Sequence, residues 1–156
     1  MATQVVLGKV SGTIRKPYRH AFRHHRKALE TQVRTAVDGW FDGGFLAVGY
    51  PTDTFPHAFD TFTAQAAADA RRQKRLMTNW KWRHGIDGVA ATERKVSLDV
   101  LAPKGRPQGV TARVKLRFTT TGDKKKRVTV TGRLFLARNH QGNWRIFGYD
   151  VAKGST

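Results

Sequence analysis

Cysteine is absent from the 156 residues, so the chain has no disulfide, no thiolate zinc site and no thiol nucleophile. That absence leaves the redox compartment open. No segment comes near the roughly 20 consecutive apolar residues that cross a bilayer as a helix, and none has the apolar centre and small-residue cleavage pattern of a signal peptide. Proline is sparse at 5 residues and hydrophobic residues reach 39%, which argues against a disordered tail or a fibrous repeat. A chain of this length can withdraw roughly 68–70% of its unfolded surface from water, enough for an autonomous core.

Acidic residues are also scarce. Eleven Asp and Glu stand against 29 Lys and Arg, a net charge of +18. Such a field attracts polyanions, anionic lipid and acidic proteins, but it bears on association rather than fold. The charge is uneven along the chain. Residues 1–27 carry +7, residues 28–70 carry −5, and residues 71–156 carry +16. An acidic waist therefore separates two basic blocks.

The opening Thr3 to Ile14 reads as a strand-like arm with Val5, Leu7, Val10 and Ile14 interrupted by Gly8 and Gly12. From His20 to Phe41, Phe22, Leu29, Val33, Ala36, Val37, Trp40 and Phe41 recur at spacings of three, four and seven, which stacks them on one helical face. Asp42-Gly43-Gly44 is expected to end that helix through positive φ, with Phe45 to Val48 as a short apolar continuation. Phe55, Phe59 and Phe62 resume at helical spacing, and Thr63 is the expected N-cap of a second helix, Ala64 to Met77. Asn79 to Gly88 reads as a loop.

Four strands are then expected. Val96, Leu98 and Val100 alternate with polar residues, as do Val114, Leu116 and Phe118 with Arg113, Lys115 and Arg117. Val128 to Leu136 forms the third strand with a bulge at Gly132, and Trp144 to Val151 the last, with turns at Pro103 to Pro107, Gly122-Asp123 and His140 to Asn143. The fold class predicted is α+β: helices packed on a strongly bent four-stranded antiparallel meander, with an extra N-terminal arm. Residues 1–27 form the basic arm and helix start, and 28–153 a single domain.

The first helix ending Val37-Asp38-Gly39-Trp40-Phe41, the segment Phe59 to Met77, Ile86-Asp87-Gly88-Val89, and Val128 to Leu136 leading into Trp144 to Val151 carry a resemblance. Over roughly residues 28–153 the chain resembles the nuclear transport factor two-like (cystatin-like) superfamily, closest to small actinobacterial-type SnoaL-like and mammalian-cell-entry-associated domains. The resemblance implies a bent sheet wrapped round the first helix as a cone, whose cavity some members use for catalysis while many serve only protein contacts. Membrane-associated relatives carry a transmembrane segment ahead of the first helix; here residues 1–27 read as a short strand and a basic run. The expected location is cytoplasmic for the chain as it stands, and extracytoplasmic and tethered if it is part of a longer protein.

Enzymes of that superfamily place an Asp, or a Tyr-Asp or His-Asp pair, inside the cone as base and oxyanion donor. The matching candidates are Asp150, which shares strand parity with Trp144 and Ile146, together with Tyr50, His57, Asp60 and Asp87. Strand ends, turns and caps explain the aspartates as well, and no motif has a reaction-specific spacing, so a non-catalytic chain without cofactor is expected. His20 and His24 are spaced i, i+4, but Arg19, Arg23 and Arg26 surround them and no carboxylate precedes Glu30, so no metal site is expected.

The basic clusters are the stronger functional signal. Arg15, Lys16, Arg19, Arg23, Arg26 and Lys27 interleave with Tyr18 and Phe22; Lys81-Trp82-Arg83 alternates bases with an aromatic; Arg113, Lys115, Arg117 and Arg133 share the sheet face opposite the core; Lys124, Lys125, Lys126 and Arg127 form a turn cluster. Such patterns follow phosphates, stack bases or lie at an anionic surface. The expected function is an interaction module binding a macromolecular partner, whether nucleic acid, anionic membrane surface or acidic protein. A small-molecule enzyme or carrier using the cone cavity, and a nucleic-acid-binding protein, are the alternatives. Two outer faces bearing Arg113, Lys115 and Arg117 would repel, which predicts a monomer.

Overall fold

Alternation of apolar and polar residues in the carboxy-terminal half builds four long strands, and a fifth comes from the amino terminus. The computed structural model describes residues 1–13 and 15–156. It shows an α+β fold in which β1 (Gln4–Ser11), α1 (Lys16–Phe41), α2 (Ala64–Arg72) and α3 (Lys74–Met77) precede β2 (Ile86–Leu101), β3 (Gly109–Gly122), β4 (Arg127–Arg138) and β5 (Trp144–Ser155). The sheet order is β1-β2-β3-β4-β5. Among the described residues, no helix is long and apolar enough to cross a membrane.

The expected four-stranded meander is therefore corrected to a five-stranded mixed sheet. β2 to β5 pair antiparallel, but β1 joins the edge parallel to β2, with Val5 opposite Val96 and Leu7 opposite Leu98. A parallel neighbour needs a long crossover, which α1 to α3 supply. Ile14, assigned by sequence to the arm, lies outside the described residues.

The predicted faces hold. Val114, Leu116 and Phe118 are buried, while Arg113, Lys115 and Arg117 keep about half their side chains in water. Val96, Leu98, Val130, Leu134 and Ile146 join Leu29, Val33, Val37, Trp40 and Phe41 of α1 in one cluster, with Ala66 and Ala70 of α2 and Met77 of α3. The one polar atom of the Trp40 side chain is satisfied there, its Nε1 donating to the Met77 carbonyl at 2.9 Å.

Four local expectations are revised. α1 begins at Lys16, not His20, because Pro17 suits a first helical turn. It does not stop through positive φ at Gly43 or Gly44 but widens into a π-helical turn, Asp42–Leu46. The helix expected over Ala64 to Met77 breaks at Gln73, although Thr63 caps it as expected, accepting from the Ala66 amide at 3.2 Å. None of Phe55, Phe59 and Phe62 is helical: Phe55 lies in irregular backbone, Phe59 in a turn, and Phe62 forms an isolated parallel bridge to Ile146, so their spacing reflects packing; Phe59 and Phe62 meet edge to face at 5.2 Å.

Gly132 marks no bulge. It stays in register between Val114 and Val151, and glycine is required because a Cβ at its φ of +147° would lie 2.2 Å from the Asp150 carbonyl oxygen. The bulge falls instead on Phe147, since Phe135 faces Gly148 and Leu136 faces Ile146.

Candidate functional site

At about 100° per residue, Arg15, Lys16, Arg19, Arg23, Arg26 and Lys27 project within one arc of about 120°, strung over roughly 18 Å of helix. All six are exposed. The first turn of α1 holds no acid and no side-chain cap, so these cations face the positive end of the helix dipole uncompensated. Among the described residues only Arg26 of the six is ion-paired, to Glu30 at 2.9 Å.

The tertiary structure adds bases that sequence reading did not join to this stripe. The β2–β3 connection turns through Pro103–Gly105 and rests against the second turn of α1. Contact is so close that a Cβ on Gly105, whose φ is +78°, would meet the Tyr18 carbonyl oxygen at 2.2 Å and Ala21 Cβ at 2.8 Å. Exposed Lys104 and Arg106 flank the residue that makes this contact with α1. Gly105→Ala is expected to cost at least about 2 kcal/mol, combining positive-φ strain with this clash. Urea denaturation measures the loss, and hydrogen exchange should show the start of α1 opening first.

The outer sheet face behaves differently. Arg113 stands directly across from Arg133, and Lys95 from Lys115, like-charge neighbours that destabilise a sheet unless neutralised. Three carboxylates offset this in part, three negative charges among five positive ones. Asp99 lies 3.1 Å from Arg113, Asp150 3.2 Å from Arg133, and Glu93 between 3.3 and 3.8 Å from Lys95, Arg117 and Lys115. Desolvation opposes ionisation of Glu93, but the Lys95 hydrogen bond and the Lys115, Lys95 and Arg117 charges outweigh it and hold its carboxyl below the usual range. These bases are largely committed to the sheet.

Lys124, Lys125 and Lys126 belong to the β3–β4 connection and Arg127 opens β4, at the opposite end of β3 from the α1 stripe. Lys81 lies near that end too, since the Lys124 amide donates to the Gly85 carbonyl at 2.9 Å. Trp82, expected to contact a polyanion, is corrected to a core residue at 6% exposure. Arg83 is folded onto Trp80, with its guanidinium 3.7 Å from the ring centroid and Nη1 donating to the Trp80 carbonyl at 3.0 Å. Phe22 is likewise buried and Tyr18 half-buried, so neither displays the open ring that base stacking needs.

The catalytic candidates do not assemble. Asp150 was expected on the core face, but the Phe147 bulge reverses the parity of β5 beyond it and leaves the Asp150 side chain 71% exposed. His57 is 79% exposed, its Nδ1 2.8 Å from Asp60 Oδ2. Tyr50 alone reaches the core margin, where its hydroxyl donates to the Phe45 carbonyl at 2.8 Å and accepts from Asn79 Nδ2 at 3.0 Å. Burial pushes that hydroxyl above the usual tyrosine range, only partly offset by Asn79. The space between α1 and the sheet is filled by Trp40, Phe41, Phe45 and Phe118, each no more than 1% exposed.

The same parity reversal turns Lys153 inward, where no sequence signal placed it. Its Nζ donates to the Thr78 carbonyl at 2.8 Å and to that of Arg75, and lies 5.6 Å from the Trp82 ring. Burial first, then the Lys81 and Arg75 charges, pull its ammonium down to about 8 from 10.5. The unfolded chain therefore binds more protons than the native one between those values, and Lys153 makes stability rise with pH across that window. Denaturation midpoints at pH 7 to 10.5 should show a smaller rise in Lys153→Met than in the parent. An equal rise would remove Lys153 as its source.

Arg94 is the other polar residue the sequence left unmarked. It projects from β2 toward α1 at 12% exposure, with Nη2 2.8 Å from Asp38 and 3.2 Å from Asp42. Its Nε donates to Thr3 Oγ1 at 3.0 Å, and that hydroxyl in turn donates to Asp38. Two acids of the negative waist are thus tied to the sheet. No family model, curated protein or solved structure matches this chain.

Proposed function

We propose that this chain is a non-catalytic interaction module whose α1 stripe docks on the backbone of a polyanion, and that a nucleic-acid duplex is the polyanion that suits it. The observation that carries this reading is the contrast between the exposed, largely unpaired bases of Arg15 to Lys27 and the bases of the outer sheet, each of which has a carboxylate within 4 Å. A helix lying on a membrane needs apolar side chains to insert, yet the apolar residues of α1 are spent on the core. What the start of α1 offers outward is polar and mainly cationic, the chemistry that reads phosphates without reading sequence.

The test is fluorescence anisotropy with two unrelated 20-base-pair duplexes, beside vesicles containing phosphatidylserine, from 50 to 200 mM salt. Equal affinity for both duplexes is expected, falling several hundred-fold over that range for about five phosphate contacts. Absence of duplex binding at 50 mM salt, or binding to vesicles alone, would sink the proposal.

We further infer that the architecture is the nuclear transport factor two-like cone. In support, β2 to β5 form an antiparallel meander with one apolar face against α1, and each of the β2–β3 and β4–β5 pairings contains a register shift of the kind that bends a sheet.

A further inference from the structure

Away from the stripe, the segment around Phe55 and Phe59 and the α2–α3 region enclose a cavity of about 190 Å³ that also reaches Trp80, Arg71, Lys74 and Asp60. Its walls are aromatic. Phe55 lies 6.3 Å from Trp80, ring centre to ring centre. The Lys74 ammonium sits 3.9 Å and the Arg83 guanidinium 3.7 Å from the Trp80 centroid, distances at which each needs a ring face to itself. Trp80 lines the cavity with these two cations held over its ring.

The charges at this cavity are unequal. Exposed Arg71 and Lys74 have no carboxylate within 4 Å among the described residues, whereas Asp60, which also lines the space, is engaged by His57 at 2.8 Å. Phe55, Phe59 and Trp80 on the walls, with two cations free of carboxylates, complement a small apolar group bearing one negative charge. The volume equals roughly six waters at about 30 Å³ each, room for one substituted ring and below the usual drug-sized pocket.

We propose that this cavity binds a small aromatic monocarboxylate, its ring among Phe55, Phe59 and Trp80 and its carboxylate on Arg71 and Lys74. The site shares no residue with the α1 stripe, so either can fail without the other.

Titration of the full chain with phenylacetate, followed by two-dimensional NMR, tests it. Saturable shifts are expected on the Trp80 indole N–H and the amides of residues 54–60, with Kd on the order of 1 mM for so few atoms. Neutral phenylacetamide should bind about tenfold more weakly, and Arg71→Gln with Lys74→Gln should remove that difference, as two exposed charge contacts imply. Both residues are exposed, and the phenylacetamide comparison requires no substitution at all. Equal affinity of the parent for acid and amide, no saturable shift by about 20 mM, or shifts centred on residues 15–27 would overturn the assignment.

Discussion

Changing Arg15, Lys16, Arg19 and Arg23 together to glutamine is expected to lower duplex affinity about 10³-fold at 0.1 M salt and to reduce the log–log salt slope by about 3.6. Each phosphate contact releases about 0.9 counterion, so the loss shrinks as salt rises. The contrasting variant changes Arg113, Lys115, Arg117 and Arg133, also four cations. It should lose far less, because those bases already share Glu93, Asp99 and Asp150. An equal or greater loss from the sheet variant would place the docking surface on the wrong face. The stripe variant should also fold at least as well as the parent, since it removes cations from the positive end of a helix dipole; a thermal melt checks this.

Arg94→Met is expected to destabilise the fold by about 3 kcal/mol, the lower end of what breaking a buried ion pair costs, because Asp38 and Asp42 keep partial access to water. For a chain of this size that corresponds to a fall in melting temperature of about 6–12 °C. The substitution leaves two carboxylates one helical turn apart, with Thr3 remaining on Asp38. Adding Asp38→Asn and Asp42→Asn should restore at least half the loss, since a buried pair replaced as a whole is often neutral. The amides of β1 should exchange faster in Arg94→Met, because Thr3, just ahead of that strand, is tied to Arg94. A loss under about 1 kcal/mol in urea denaturation would show that the cluster is not holding β1 and α1 together.

Much of the layering was legible along the chain. Period-two alternation in Arg113 to Phe118 names both faces of β3, and the three-four spacing of Leu29, Val33, Val37 and Trp40 names the buried face of α1. Thr63 reads as a cap because its side chain acts on an amide three residues away. The candidate site was legible as composition, in the acid-free run Arg15 to Lys27, but not as a surface. Lys104 and Arg106 are brought to α1 only because Gly105, between them, lets a turn some 80 residues downstream rest on that helix.

The pattern misleads where one residue changes the count. Phe147 carries no mark that distinguishes it from a paired strand residue, yet its bulge sends Asp150 into water and Lys153 toward the core. Trp82 resembled a surface aromatic beside bases, but burying an indole is favourable enough to turn it into the core while Lys81 stays in solvent. By itself, the amino-acid order determined which residues seek water and with what period, hence the helix, the four carboxy-terminal strands and the excess of positive charge. Only the tertiary structure decided which cations meet a carboxylate and which remain open, because strand register, bulges and turn seating arise from contacts between segments far apart in the chain.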